Sequence, residues 1–139
     1  MIEVKNLSKR FGSVQVLSNI SAQFRKGKIN QIIGKSGSGK SVLAKCIVGL
    51  HKPNEGSVLY EGKSFHDMGP DAQREIRQRI GMLFQGSALF DSLSVMQNVM
   101  FPLQMFSDMS KSEMEDRAHF CLKRVNILDK DRLFPSELS

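Results

Sequence analysis

The residues best suited to chemistry lie in one octet, GKSGSGKS, from Gly34 to Ser41. It fits the pattern G-x-x-x-x-G-K-[ST] at every fixed position. Glycines at 34, 37 and 39 allow backbone conformations closed to residues with a Cβ, and they turn successive N–H groups toward an anion. A helix starting near Lys40 adds its unsatisfied N-terminal amides and the positive end of its dipole. The Lys40 ammonium can then reach the β and γ phosphates of a nucleotide, while the Ser41 hydroxyl can coordinate Mg²⁺ bridging them. The octet therefore predicts a cradle for a nucleoside triphosphate. Its candidate binding residues are Gly34, Ser36, Gly37, Ser38, Gly39, Lys40, Ser41 and Val42, with Lys40 also a candidate catalytic group and Ser41 a metal ligand.

Such a loop needs a strand before it and a helix after it, and the flanking sequence offers both. "KINQIIG", Lys28 to Gly34, reads as a short buried strand. "SVLAKCIVGL" places Val42, Leu43, Cys46, Ile47 and Leu50 at helical spacing until "KPNEG" breaks the pattern. Upstream, "IEVKNLSKRF" and "VQVLSNISAQF" carry alternating apolar residues around Gly12-Ser13, the pattern of two antiparallel strands joined by a tight turn. Downstream, "SVLYEG" alternates as a strand, a polar helix is expected near Asp71 to Ile80, and "GMLF" reads as strand again. The remainder is helical: "SVMQNVMFPLQM" is interrupted at Pro102, and Met114, Ala118, Cys121, Leu122 and Val125 share an apolar stripe. Ser110 and Glu113 offer that last helix a capping box.

The chain has 139 residues, 40% hydrophobic and 24% charged, which is the composition of a folded globular domain and argues against disorder. No stretch approaches the roughly 20 apolar residues of a bilayer span, and the N-terminus lacks the apolar run of a secretory signal, so the cytoplasm is the default expectation. Cys46 and Cys121 have no CxxC or Cys/His partner nearby and are expected to be buried, reduced thiols. The net charge of +6 comes from scattered residues, and the densest cluster, "REIRQR" from Arg74 to Arg79, reads as a solvated helix face. No aromatic residues interleave with the basic ones as in a single-strand nucleic-acid binder. His51, His66 and His119 are not spaced as ligands and receive no role.

A phosphate loop alone does not separate kinases, GTPases and transport ATPases. The flanking residues do: the chain resembles the ATP-binding subunits of ABC transporters along its whole length. Phe11 in "KRFG" stands where that family places its base-stacking aromatic, often a tyrosine. "KPNEGSVLYEG" is similar to its P-x-x-G-x-V-x-x-x-G pattern through Pro53, Gly56, Val58 and Gly62, and "GMLFQ" supplies what looks like the Q-loop glutamine, Gln85. The resemblance implies that Phe11 stacks on adenine. It implies that Gln85 is a second catalytic candidate that contacts Mg²⁺ and the attacking water, its amide both donating and accepting hydrogen bonds.

The fold class implied is α/β, the N-terminal part of an ABC-type P-loop NTPase domain. It comprises an antiparallel β subdomain, a P-loop strand and helix, and a helical subdomain, with the core parallel sheet incomplete. Residues 1–85 would form the β subdomain and P-loop part of the ATPase core, and residues 86–139 the Q-loop and helical subdomain. "FQGSALFDSLSVMQNVMFPL", Phe84 to Leu103, further resembles the segment after the Q-loop in the Mla and Mce-associated ATPases, which move phospholipid between bacterial membranes. Gly86, Ser87, Ala88, Leu89 and Phe90 stand there in place of that subfamily's "SGALF". Leu89, Phe90, Val95, Val99 and Phe101 are then either a docking surface for a permease helix or core.

The last residues, "ELS" from Glu137 to Ser139, look like the start of the family's signature, close to L-S-G-G-Q. The expectation is that the sequence is cut inside that motif, ahead of the Walker B aspartate, the general-base glutamate and the switch histidine. The implied protein binds ATP with Mg²⁺ and hydrolyses it at the inner face of the cell membrane, with transmembrane permease subunits and a second ATPase subunit paired head to tail as partners. Direct nucleic-acid contact is not expected. The 139 residues alone are expected to be hydrolytically inactive, to leave "NQIIG" without sheet neighbours, and to swap or oligomerise through that exposed edge or leave the phosphate loop partly disordered. Two further readings stay open: a non-transport ABC ATPase acting on nucleic acid or ribosomes, and a nucleotide-binding module without turnover.

Overall fold

The first apolar alternation becomes strand β1, Ile2–Phe11, which turns at Gly12 into the antiparallel strand β2, Val14–Phe24. The computed structural model describes residues 1–139 apart from Gln85, Ser87, Leu128 and Ser139. Val4 and Leu7 are both buried although they stand three positions apart, which strict alternation forbids. A β-bulge absorbs the odd residue, with Asn6 at φ 48° and Asn19 on β2 at φ 50°. Asparagine tolerates this left-handed backbone. Ser21 Oγ accepts from the Asn6 N–H at 2.9 Å and donates to Asn6 Oδ1 at 3.0 Å, so the distorted ladder stays satisfied.

Strand β3, Glu55–Tyr60, pairs with the other side of β1, and the short β4, Lys63–Ser64, pairs with β3. The sheet order is β2-β1-β3-β4, antiparallel throughout. Helix α1, Lys40–Ile47, lays Leu43 and Cys46 onto Val4, Leu7, Leu17 and Val58. Each leucine buried there contributes about 2 kcal/mol, which keeps the helix behind the glycine-rich octet fixed to the sheet. The Tyr60 hydroxyl donates to the Ile47 carbonyl at 2.6 Å and closes the far end of α1; burial pushes its pKa up to about 12. Helix α2, Pro70–Gln78, buries no side chain, and its arginines form the solvated face expected for them.

These elements form one compact unit, Met1–Gly81. Two expected strands are absent from the described residues. Lys28–Gly34 pairs with no strand, and Ile29 and Ile33 are 101% and 84% exposed instead of buried. Residues 81–84 likewise lie outside any ladder, with Leu83 98% exposed. A strand is held by hydrogen-bonded neighbours, and the four-stranded sheet offers neither segment a place; for Lys28–Gly34 this isolation was implied by the family resemblance.

The second compact unit, Met82–Ser139, is helical. Helices α3, Val95–Phe106, and α4, Lys111–Arg124, pack on each other around Val95, Met100, Ala118 and Leu122. Each opens with a reciprocal capping box, Ser94 with Gln97 and Ser110 with Glu113, so α4 starts where its sequence places it. Contrary to the expected interruption, α3 runs through Pro102. Proline removes one internal hydrogen bond, and the capping box with the packing against α4 outweighs that loss. Val125 follows the last helical residue and is exposed, so the apolar stripe of α4 ends before it. Val95 belongs to the core, while Leu89 and Phe90 are exposed, with Phe90 against Phe101 at 4.7 Å between ring centres. Cys46 is buried and Cys121 half-buried, both free thiols. No helix among the described residues is long and apolar enough to cross a membrane.

Candidate nucleotide-binding site

The octet forms a turn that closes on itself before α1. The Ser38 N–H donates to the Lys35 carbonyl at 3.2 Å, and a Cβ on Gly34 would stand 2.7 Å from Ser38 Oγ. Gly37 at φ 75° and Gly39 at φ 88° take the left-handed conformations that their positions predicted. Gly39 is the N-cap of α1, and no side chain caps that end, so the first-turn amides keep their donor capacity. The Lys40 ammonium reaches back over the turn and donates to the carbonyls of Gly34 at 2.9 Å and Lys35 at 2.7 Å. Ser36 and Ser41 are exposed, while Val42 is half-buried in the first turn of α1.

Electrostatics reinforce the arrangement. Every formally charged side chain between Glu3 and Glu55 is lysine or arginine, so the segment carrying the loop presents positive charge to an anion. A triphosphate with a divalent cation fits this donor set: open amides and an ammonium for phosphate oxygens, and an exposed hydroxyl at Ser41 for the metal. Cys46 plays no part in such chemistry, because burial pushes its thiol pKa up against the opposing pull of Lys9.

Phe11 ends β1 in the same unit and is 44% exposed. Its ring meets His51 edge to face, with 5.3 Å between centres and 74° between planes, and Lys9 Nζ stands over it 5.0 Å from its centre. Lys9 Nζ also donates to the Lys52 carbonyl at 2.8 Å. His51 had no role in the sequence reading; it lies forty residues from Phe11, and no local pattern announces that the two rings meet. Gln85, the remaining candidate and second metal ligand, lies outside the described residues.

A family model described as ABC transporter matches residues 17–139. The methionine import ATP-binding protein MetN of Clostridium tetani is 37% identical over the whole chain, which spans 43% of that protein. The glutamine transport ATP-binding protein GlnQ of Escherichia coli K12 is 42% identical over the whole chain, which spans 58% of it. Among solved structures, the ATP-binding cassette MJ0796, dimeric in a post-hydrolysis state bound to ADP and Pi, superposes with a TM-score of 0.89 at 33% identity, covering all of this chain and 63% of that one. MetN and GlnQ carry amino-acid transport names, which corrects the phospholipid-transport resemblance drawn from Phe84 to Leu103. That segment is a short apolar stretch, and apolar composition alone does not distinguish one permease partner from another.

Proposed function

The chain belongs to the ABC transporter family, and on that premise we propose that it is the nucleotide-binding part of a transport ATPase that uses MgATP. The observation that carries this reading is the Lys40 ammonium held over the Gly34 and Lys35 carbonyls, beside an uncapped helix start and an exposed Ser41. The α1 amides and Lys40 bind the phosphates, Ser41 holds the metal, and Phe11 stacks on the base. Bound Mg²⁺ supplies neutralisation of phosphate charge. Gln85 orients the water in the working enzyme.

The 139 residues alone can at most bind nucleotide and do not turn it over. No aspartate or glutamate occurs between Glu3 and Glu55, so the loop segment holds no carboxylate to take a proton from water. In the whole protein, two subunits pair head to tail beneath a membrane permease on its cytoplasmic side, and hydrolysis drives import. The relatives' names favour an amino acid as cargo.

The test is titration of MgATP against the unaltered chain and Lys40→Ala. The proposed charge-assisted bonds from the ammonium to the β and γ phosphates are at stake, so affinity should fall by roughly a hundredfold. Equal affinity in both proteins would remove Lys40 from the site.

A further inference from the structure

The contacts around Phe11 continue into the chain segment that leaves the phosphate-binding helix. Beyond α1, the Leu50 and His51 N–H groups both donate to the Lys45 carbonyl, at 2.9 and 3.1 Å, so His51 is tied to the helix end. The same segment is tied to β1 at three points. The Asn54 N–H donates to the Ser8 carbonyl at 2.9 Å, the Arg10 N–H donates to Asn54 Oδ1 at 2.9 Å, and Lys9 Nζ donates to the Lys52 carbonyl. Phe11 is thus approached from the strand side by Lys9 and from the helix side by His51.

Resting on the reading of Phe11 as the base platform, we propose that His51 and Lys9 are positioning residues that fix the plane of the Phe11 ring before the base arrives. A half-exposed phenyl ring at the end of a strand has rotational freedom that stacking would have to remove. An edge-to-face imidazole and an ammonium over the ring take most of that freedom away in the free protein, so less is lost on binding. Neither residue touches the phosphates in this scheme. Their effect is confined to the base end of the ligand.

That confinement supplies the test. The full chain and the variants His51→Ala, His51→Phe, Lys9→Met and Phe11→Ala are titrated with MgATP and, separately, with magnesium tripolyphosphate, which has no base. Phe11→Ala should weaken MgATP roughly tenfold. His51→Ala and Lys9→Met should weaken it about threefold to tenfold, with His51→Phe restoring affinity and tripolyphosphate binding the same throughout. Equal weakening of both ligands by His51→Ala would overturn the proposal, since His51 would then support the fold and not the ring. Full MgATP affinity in His51→Ala and Lys9→Met alongside a weakened Phe11→Ala would also overturn it while leaving the platform reading standing. An unaltered MgATP affinity in Phe11→Ala would overturn the platform and the positioning together.

Discussion

Gly39 lies against Leu17 so closely that a methyl group on its α-carbon would stand 2.7 Å from Leu17 Cδ2 and 3.1 Å from the Val16 carbonyl. The start of α1 is therefore seated on β2, and the phosphate loop takes its position from the sheet. Gly39→Ala adds a Cβ where the backbone has φ 88° and where a core leucine already sits. Strain and overpacking together should cost about 2–4 kcal/mol. Thermal unfolding should show a lowered midpoint, and MgATP affinity should fall with it; an unchanged midpoint would mean that the loop is not seated in this way.

Ser41 is assigned to the metal and not to the phosphates directly. Ser41→Ala should therefore weaken MgATP strongly, while affinity for ATP in excess EDTA should match that of the unaltered chain. Calorimetric titration in both buffers checks this. Equal losses with and without magnesium would move Ser41 from metal to phosphate.

His66 packs against Phe65 with its Nε2 buried and lacking a hydrogen-bond partner among the described residues. Burial above all, then the positive charges of Lys52 and Arg77, lower its pKa against the opposing pull of Asp67. The unfolded chain then takes up a proton near the ordinary value of 6.5 that the folded chain resists. Stability from this residue is therefore complete above that pH and declines as pH falls below it. Melting midpoints from about pH 7.5 to about pH 5 should fall less steeply for His66→Gln than for the unaltered chain; parallel curves would exclude His66 as the cause.

Ile29 and Ile33 stand exposed in a segment that belongs to no β-ladder among the described residues. Water is a poor solvent for such a stretch, and a second copy offers both cover and hydrogen bonds. Sedimentation velocity should show concentration-dependent association that the double variant Ile29→Ser, Ile33→Ser reduces. Association of equal strength in the variant would place the contact elsewhere.

Local rules carried much of this far. The turn at Gly12, the capping box at Ser110, and the glycine pattern of the phosphate loop each depend on a few adjacent residues, and each was legible for that reason. The exposure of Lys28 to Gly34 was not legible in its own residues, because apolar residues report a preference for burial but not whether a partner strand is present; only the family resemblance implied its isolation. Pro102 marks a missing donor, yet whether a helix survives it depends on packing that lies outside the local sequence. The meeting of Phe11 with His51 escaped for a similar reason: it is produced by the return of the chain from α1 to β1, and neither residue is unusual where it stands.

That return has a consequence for how the family can vary. Each residue added to or removed from α1 would rotate everything beyond it by about 100° and shift it by about 1.5 Å. The imidazole would then swing away from the ring that it abuts, even with the octet untouched. In the proposed binding mode, the distance between the two ends of the nucleotide is in this way written as a residue count, and the stretch from Lys40 to Asn54 should accept substitutions far more readily than insertions or deletions.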